Sequence, residues 1–160
     1  MPKIASTLSN SFDAFDRAIL EIVQRNNQVT HAVIGDQVGL SGSAVRRRLA
    51  RLRAAGVIRK DVALLDLDQL GVSLVVSVTF DTETPEIYAA FEQQVAGLPE
   101  VQQCYHIAGD QDFLLIVHAP SLQYFEEWAK AQFMRNEAIR RYSTTVIWSC
   151  KKFETAVPVR

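Results

Sequence analysis

The sequence predicts an α+β fold in two parts. An N-terminal winged helix-turn-helix domain over residues 1–60 is joined by a linker over 61–71 to a C-terminal ferredoxin-like βαββαβ domain over 72–160. Three observations carry this reading. Two short helical patterns within 30–55 are separated by a turn containing Gly39. Residues 72–150 alternate β-branched runs with segments of helical period. The charge also divides along the chain: residues 1–60 hold ten Lys/Arg against four Asp/Glu, and residues 61–160 hold seven against fourteen. A formal net charge of −1 therefore conceals a half at +6 and a half at −7. A basic half joined to an acidic half suggests a nucleic-acid-binding module attached to a second function.

Composition sets the outer bounds. With 160 residues, 48% of them hydrophobic, the chain can bury a core without a disulfide or metal staple. No apolar run approaches the ~18–20 residues of a membrane span, and residues 1–10 lack a signal-peptide core, so a cytoplasmic protein with no membrane partner is expected. Cys104 and Cys150 stand in apolar runs and form no CxxC. No cofactor, metal site or catalytic residue is expected.

The first helix begins near Phe12, where Ser11 or Asp13 can cap it, and Phe12, Phe15, Ile19 and Val23 form its apolar stripe. Thr30 caps a second helix over 31–38. In Gly39-Leu40-Ser41 the glycine ends that helix, the leucine packs beneath the turn and the serine caps the third helix, about Gly42 to Ala55. There Val45, Leu49 and Leu52 face inward, while Ser43, Arg46, Arg47 and Ala50 fall on the opposite side. Small residues at Gly42, Ser43 and Ala44 allow close approach to a groove, and the arginines that follow reach base edges or phosphates. Arg48 lies at the border, where pairing with an acidic neighbour such as Asp16 and contact with DNA are equally open. Gly56 stops the helix, and residues 57–60 read as a short strand carrying Arg59 and Lys60, a wing for backbone contact. The candidate DNA-binding set is Ser41, Gly42, Ser43, Arg46, Arg47, Arg48, Arg51 and Arg59.

In the second part, Val72 to Phe80 reads as a strand and Thr84-Pro85-Glu86 as a helix start. Strands follow over 101–107 and 113–118, then a helix over 121–133 and a last strand over 144–150. This order gives an antiparallel sheet covered on one face by two helices. Val76, Val78, Tyr105, Leu115, Val117, Val146 and Trp148 are candidates for either face. Whichever set points away from the helices needs a partner, and a twofold homodimer stacking two sheets supplies one.

These residues resemble the Lrp/AsnC family, the feast/famine transcriptional regulators, from about Phe12 to Lys152. Phe12-Asp13-Ala14-Phe15-Asp16-Arg17-Ala18-Ile19-Leu20 matches the family's L-D-x-x-D-x-x-I-L, with Phe for the first Leu. Val38-Gly39-Leu40-Ser41, Ala44-Val45-Arg46-Arg47-Arg48-Leu49 and Gly56-Val57-Ile58 match its helix-turn-helix. Leu98-Pro99-Glu100-Val101 and Gly109-Asp110-Gln111-Asp112-Phe113 match the marks of its RAM-type regulatory domain. The resemblance implies sequence-specific binding to double-stranded DNA, dimers assembling to octamers, and an amino acid or related metabolite sensed between dimers. It places Gly109, Asp110, Gln111 and Asp112 in the effector-binding loop. Read from the residues alone, the same four form either a hairpin turn or a ligand loop.

Two departures stand out. Tyr142 follows Arg141 where the family has a small polar residue, and Ile34-Gly35 replaces the common Leu-Ala, which should weaken the second helix by up to ~1 kcal/mol. Two other readings remain. An architectural DNA-binding protein without effector would show a low specificity ratio. A siroheme-decarboxylase-like enzyme would need an acid–base pair or cofactor ligands, and His31, His106 and His118 are dispersed along the chain.

Overall fold

The structure, a computed structural model, describes residues 12–159; Ser11, one of the two cap candidates, lies outside them. The chain divides into two compact units. One comprises the residues up to Ala63 together with those from Lys152 onward, and the other runs from Leu64 to Lys151.

Three helices build the first unit: α1 Ala14–Val23, α2 His31–Val38 and α3 Gly42–Ala54. Each starts at a side-chain oxygen that takes an otherwise unpaired backbone N–H. Asp13 caps α1 in a reciprocal capping box with Asp16, Thr30 caps α2 and Ser41 caps α3. Gly39 closes α2 in the left-handed conformation at φ 75°, where an L side chain is strained. Ile19, Ile34, Val45 and Leu49 form the small core, with Val29, Val38, Leu40 and Ile58 packed against it.

Gly35 corrects the sequence expectation. A Cβ built there would lie 2.3 Å from the Leu40 carbonyl oxygen, and the Leu40 N–H bonds the Gly35 carbonyl at 2.9 Å. Glycine is therefore what lets the chain fold back so tightly between α2 and α3, and an alanine methyl would lose more by collision than it gains in helix propensity.

Three further expectations change in this unit. Phe15 does not join the buried stripe but is 41% exposed, and Asp16 is fully buried instead. Residues 57–60 form no strand: the N–H groups of Val57 and Ile58 bond back to the Leu52 carbonyl and finish α3. The wing is thus an extended segment following a helix cap. Finally, the C-terminal tail belongs here rather than with the second unit. The Gln24 side-chain amide pairs with the Val157 backbone in both directions, at 2.8 and 2.9 Å, and Glu21 accepts from the Val159 N–H at 2.8 Å. The expected boundary at 160 thereby moves to Lys151.

The second unit has the predicted order: β1 Val72–Phe80, α4 Pro85–Ala96, β2 Val101–His106, β3 Phe113–Ala119, α5 Leu122–Ala129 and β4 Ile139–Val146. A short 3-10 turn, Leu67–Gln69, precedes β1, and α5 continues into a π-helical turn, Lys130–Met134. All pairs are antiparallel, in the order β2-β3-β1-β4. Alternation along β1 and β3 is regular: Leu74, Val76, Val78, Phe80, Phe113, Leu115, Val117 and Ala119 are buried beneath α4 and α5 with Phe91, Val95, Phe125, Trp128 and Phe133.

The last strand begins five residues before the expected Thr144. Arg140, Arg141 and the Ser-Thr run disguise it, because an edge strand buries little and tolerates polar residues. Register resolves the ambiguous faces. Val76, Val78, Leu115 and Val117 point to the helices, as does Val146 opposite Leu74. Tyr105 lies opposite Leu114 on the other face, and Trp148 lies beyond the strand, 95% exposed. No helix among the described residues is long and apolar enough to cross a membrane.

Candidate nucleic-acid interface and effector loop

On α3 the stripe opposite the buried Val45, Leu49 and Leu52 is solvent-facing: Ser43, Arg46, Arg47 and Ala50 are all exposed. Among the described residues, Arg46, Arg47 and Arg59 enter no ion pair. The first two candidates on the turn serve the helix itself. Ser41 accepts from the Ala44 N–H at 3.2 Å and its hydroxyl meets that of Ser43 at 3.0 Å. Gly42 is half-buried against α2, with a would-be Cβ 3.3 Å from the Ala32 nitrogen.

Arg48 and Arg51 turn the other way. Arg48 Nη1 lies 2.6 Å from Asp13 Oδ2 and 2.9 Å from Asp16 Oδ1, and its guanidinium stands over the Phe15 ring at 5.4 Å. Arg51 pairs with the second oxygen of Asp16. Hydrogen bonds to Asp13 and then to Asp16 push the Arg48 guanidinium's pKa up. The Asp16 N–H, followed by Arg48, holds the Asp13 carboxyl below its usual range. The Asp16 side chain is 1% exposed, so its charge is tolerable only because two cations and the Asp13 N–H surround it. Arg53 is the third paired arginine of α3, with Asp61 at 3.0 Å. Of the two alternatives open for Arg48, the structure shows the pairing with Asp16. The capping role of Asp13 was visible in the sequence, but its ion pair and that of Asp61 were not, because their partners lie 35 and 8 residues away.

The second candidate site is the loop between β2 and β3. Gly109, Asp110 and Gln111 are exposed, whereas Asp112 is buried. Asp112 Oδ2 accepts from the Phe80 N–H at 2.8 Å and Oδ1 from the Tyr88 hydroxyl at 2.6 Å. Its backbone N–H bonds the Val78 carbonyl, and the Ile107 N–H bonds its carbonyl. Asp112 therefore fixes the loop to β1 and α4, while the three residues before it remain open to solvent. Desolvation and the neighbouring Asp112 push the Tyr88 phenol far above its ordinary value.

Beside this loop a cleft of about 320 Å³ opens between α4 and β2. Glu92, Val95, Cys104, His106 and Phe113 are among its walls. The His106 ring stacks on Phe113 at 4.9 Å and meets the Tyr88 ring edge-on at 4.8 Å. Partial desolvation and then Glu92 push the Cys104 thiol up. Glu92 and Cys104 escaped the sequence reading, which had no way to place an α4 residue next to β2.

The comparisons agree with this geometry. Residues 73–157 match the model described as the Lrp/AsnC ligand binding domain, and residues 12–59 match a winged helix-turn-helix DNA-binding model. An uncharacterized HTH-type transcriptional regulator of Sinorhizobium fredii is 35% identical over 159 residues, covering 98% of this chain and 94% of that protein. The leucine-responsive regulatory protein of Escherichia coli is 28% identical over 137 residues, 84% of each. Among solved structures, an AsnC family transcriptional regulator from Agrobacterium tumefaciens superposes with a TM-score of 0.84 at 32% identity, over 92% of this chain and 97% of its own. A transcriptional regulator from Neisseria meningitidis, solved with L-Met, gives 0.84 at 25% identity over 93% and 97%.

Proposed function

The chain belongs to the Lrp/AsnC family of transcriptional regulators, and on that premise we propose that it binds double-stranded DNA sequence-specifically and that an amino acid bound by its sheet unit modulates this binding. The observation that carries the reading is the exposed Ser43-Arg46-Arg47 stripe, which stands opposite the buried face of a capped helix. A second helix of such a turn enters the major groove with its N-terminal residues against base edges. Ser43, Arg46 and Arg47 make those contacts, and Arg59 lies on the backbone. Ser41 and Gly42 set where the helix starts.

In the sheet unit, Gly109, Asp110 and Gln111 form the effector loop, with the α4–β2 cleft beside it. The complex of the Neisseria relative with L-Met supports an amino acid as the ligand class. The face away from the helices carries Val75, Leu114, Ile116 and Tyr105, all half-buried or exposed. A second copy of the chain covers it, and the effector is taken at an interface between copies, in an octamer built from dimers. The same twofold arrangement presents two copies of α3 to a pseudo-palindromic site.

The test is binding to a fragment selected from random-sequence duplexes and, in parallel, to bulk genomic DNA at one fixed salt concentration. A specific regulator prefers the selected fragment by ~10³-fold or more. A ratio near one overturns the reading in favour of an architectural protein. A thermal-melt panel of the twenty amino acids tests the second half of the proposal, since a ligand at 100 times its dissociation constant adds ~2.7 kcal/mol. Asp110→Ala or Gln111→Ala should remove that shift. Asp112→Ala cannot serve here, because its carboxylate also holds the loop together.

A further inference from the structure

We propose that Asp13, Asp16 and Asp61 determine specificity by withholding the rear cations of α3 from DNA, so that the free charge of that helix is confined to its reading end. The inference rests on the DNA-binding reading above and adds a role for residues that touch no DNA.

Five arginines project from α3, and the structure sorts them by position. Arg48, Arg51 and Arg53 are each paired with a carboxylate of the same unit, while Arg46 and Arg47 are not paired among the described residues. With a rise of ~1.5 Å per residue, the paired positions extend about 10 Å beyond the free ones. The division runs around the axis as well as along it, because Arg48 stands only ~1.5 Å past Arg47 but turns to α1, and the free end is the one that meets base edges.

The pairing is also built rather than incidental. Asp16 is fully buried on α1, where an unpaired carboxylate would be costly, yet both of its oxygens are given to α3. Asp13 adds a third carboxylate oxygen at 2.6 Å, and Phe15 lies beneath the Arg48 guanidinium. Asp61 engages Arg53 through Nε and Nη2, at 3.0 and 3.4 Å.

The consequence follows from the way cations bind DNA. Each phosphate neutralised by a free cation releases counterions and adds ~0.9 to the slope of log affinity against log salt, on any sequence. A guanidinium already balanced by a carboxylate brings no net charge to the backbone. Three rear arginines left free would raise affinity for all DNA alike and dilute the contribution of Ser43, Arg46 and Arg47. Held in pairs, they leave discrimination to the residues that face base edges.

Salt titrations of the full-length chain on the selected fragment and on bulk genomic DNA test this, comparing wild type with Asp16→Asn and Asp61→Asn. Asp16→Asn frees Arg51 and loosens Arg48, so its slope on bulk DNA should steepen by ~0.9–1.8 and its preference for the selected fragment should fall about tenfold. Asp61→Asn alters an exposed pair and should steepen the slope by ~0.9 with the fold intact; it decides the matter if Asp16→Asn does not fold. Bulk slopes equal to wild type, or a parallel loss on both DNAs, overturn the inference and leave the carboxylates as mere packing partners. If wild-type protein itself shows no preference for the selected fragment, the DNA reading has failed instead.

Discussion

Among the described residues each unit buries one carboxylate, and the two are satisfied by opposite means. Asp16 of the helical unit is neutralised by two guanidiniums, while Asp112 of the sheet unit keeps its place with a backbone N–H and a phenol. The surroundings explain the difference. Among the described residues the helical unit buries six apolar side chains, Ile19, Leu20, Ile34, Val45, Leu49 and Leu52, and carboxylate–arginine pairs supplement them. The sheet unit packs fourteen, and there a carboxylate can be enclosed by neutral donors because strand, helix and loop all converge on it. A small unit is thus tied together by charge on its working surface, and a larger one by hydrogen bonds in its interior.

The sharpest way to break this comparison is Asp112→Ala. It strands the Phe80 N–H and the Tyr88 hydroxyl together, at ~1–3 kcal/mol each, so the sheet unit should lose about 2–6 kcal/mol. Both tryptophans, Trp128 and Trp148, lie in that unit. Urea unfolding followed by their fluorescence therefore reads the loss directly, and an unchanged midpoint would show that the two donors find water.

Gly35→Ala probes the other unit without touching a charge. Overpacking against the Leu40 carbonyl should cost about 1–3 kcal/mol, despite a propensity gain of up to ~1 kcal/mol. Amide exchange in α2 and α3 measures it, and slower exchange in the variant would refute the clash.

The two carboxylate environments also predict opposite pH limits. Asp13 titrates below its ordinary 3.8 in the folded chain. Its contribution is therefore present above that value and lost as pH falls through the folded pKa. Tyr88 titrates above its ordinary 10.0, so its contribution is present below 10 and lost as pH rises beyond it. Exchange protection in α1 should decay on the acid side, and absorbance of the Tyr88 phenolate should appear only in strong alkali. Asp13→Asn and Tyr88→Phe should remove the respective dependences.

The smallest effect is at Gln24→Ala. Losing two exposed hydrogen bonds to Val157 costs about 0.5–1 kcal/mol, visible as faster exchange of the Val157 amide. A larger loss would mean that the tail contributes as much to the helical unit as its core does.

Local features were legible in the sequence, while of the remote pairings only that of Arg48 with Asp16 was among the alternatives. Thr30, Gly39 and Ser41 each act on backbone groups within a few residues, so the turn and the start of α3 stood where their chemistry put them. The exposed stripe of α3 followed from its period alone. Asp16 ran against the binary pattern, which reads an aspartate beside an apolar stripe as solvent-facing and Phe15 as core. Its partners are 32 and 35 residues away: Arg48 was one of two alternatives the sequence left open, and Arg51 had been assigned to DNA alone. The resemblance placed Asp112 in the effector loop, while the residues alone left a plain turn equally open; that its carboxylate is engaged by Tyr88, 24 residues earlier, and by the Phe80 N–H was beyond either reading. The last strand was misplaced because Arg140 and Arg141 mark an edge as readily as they mark a loop.

The return of the tail to α1 has a consequence for the order in which the molecule is made. Gln24 meets its partner 133 residues downstream and Glu21 meets one 138 residues downstream. On a translating ribosome the three helices emerge first, yet their last hydrogen bonds wait until every strand of the sheet has been synthesised. The last hydrogen bonds of the helical unit thus form only after the whole sheet unit that follows it in sequence has been made.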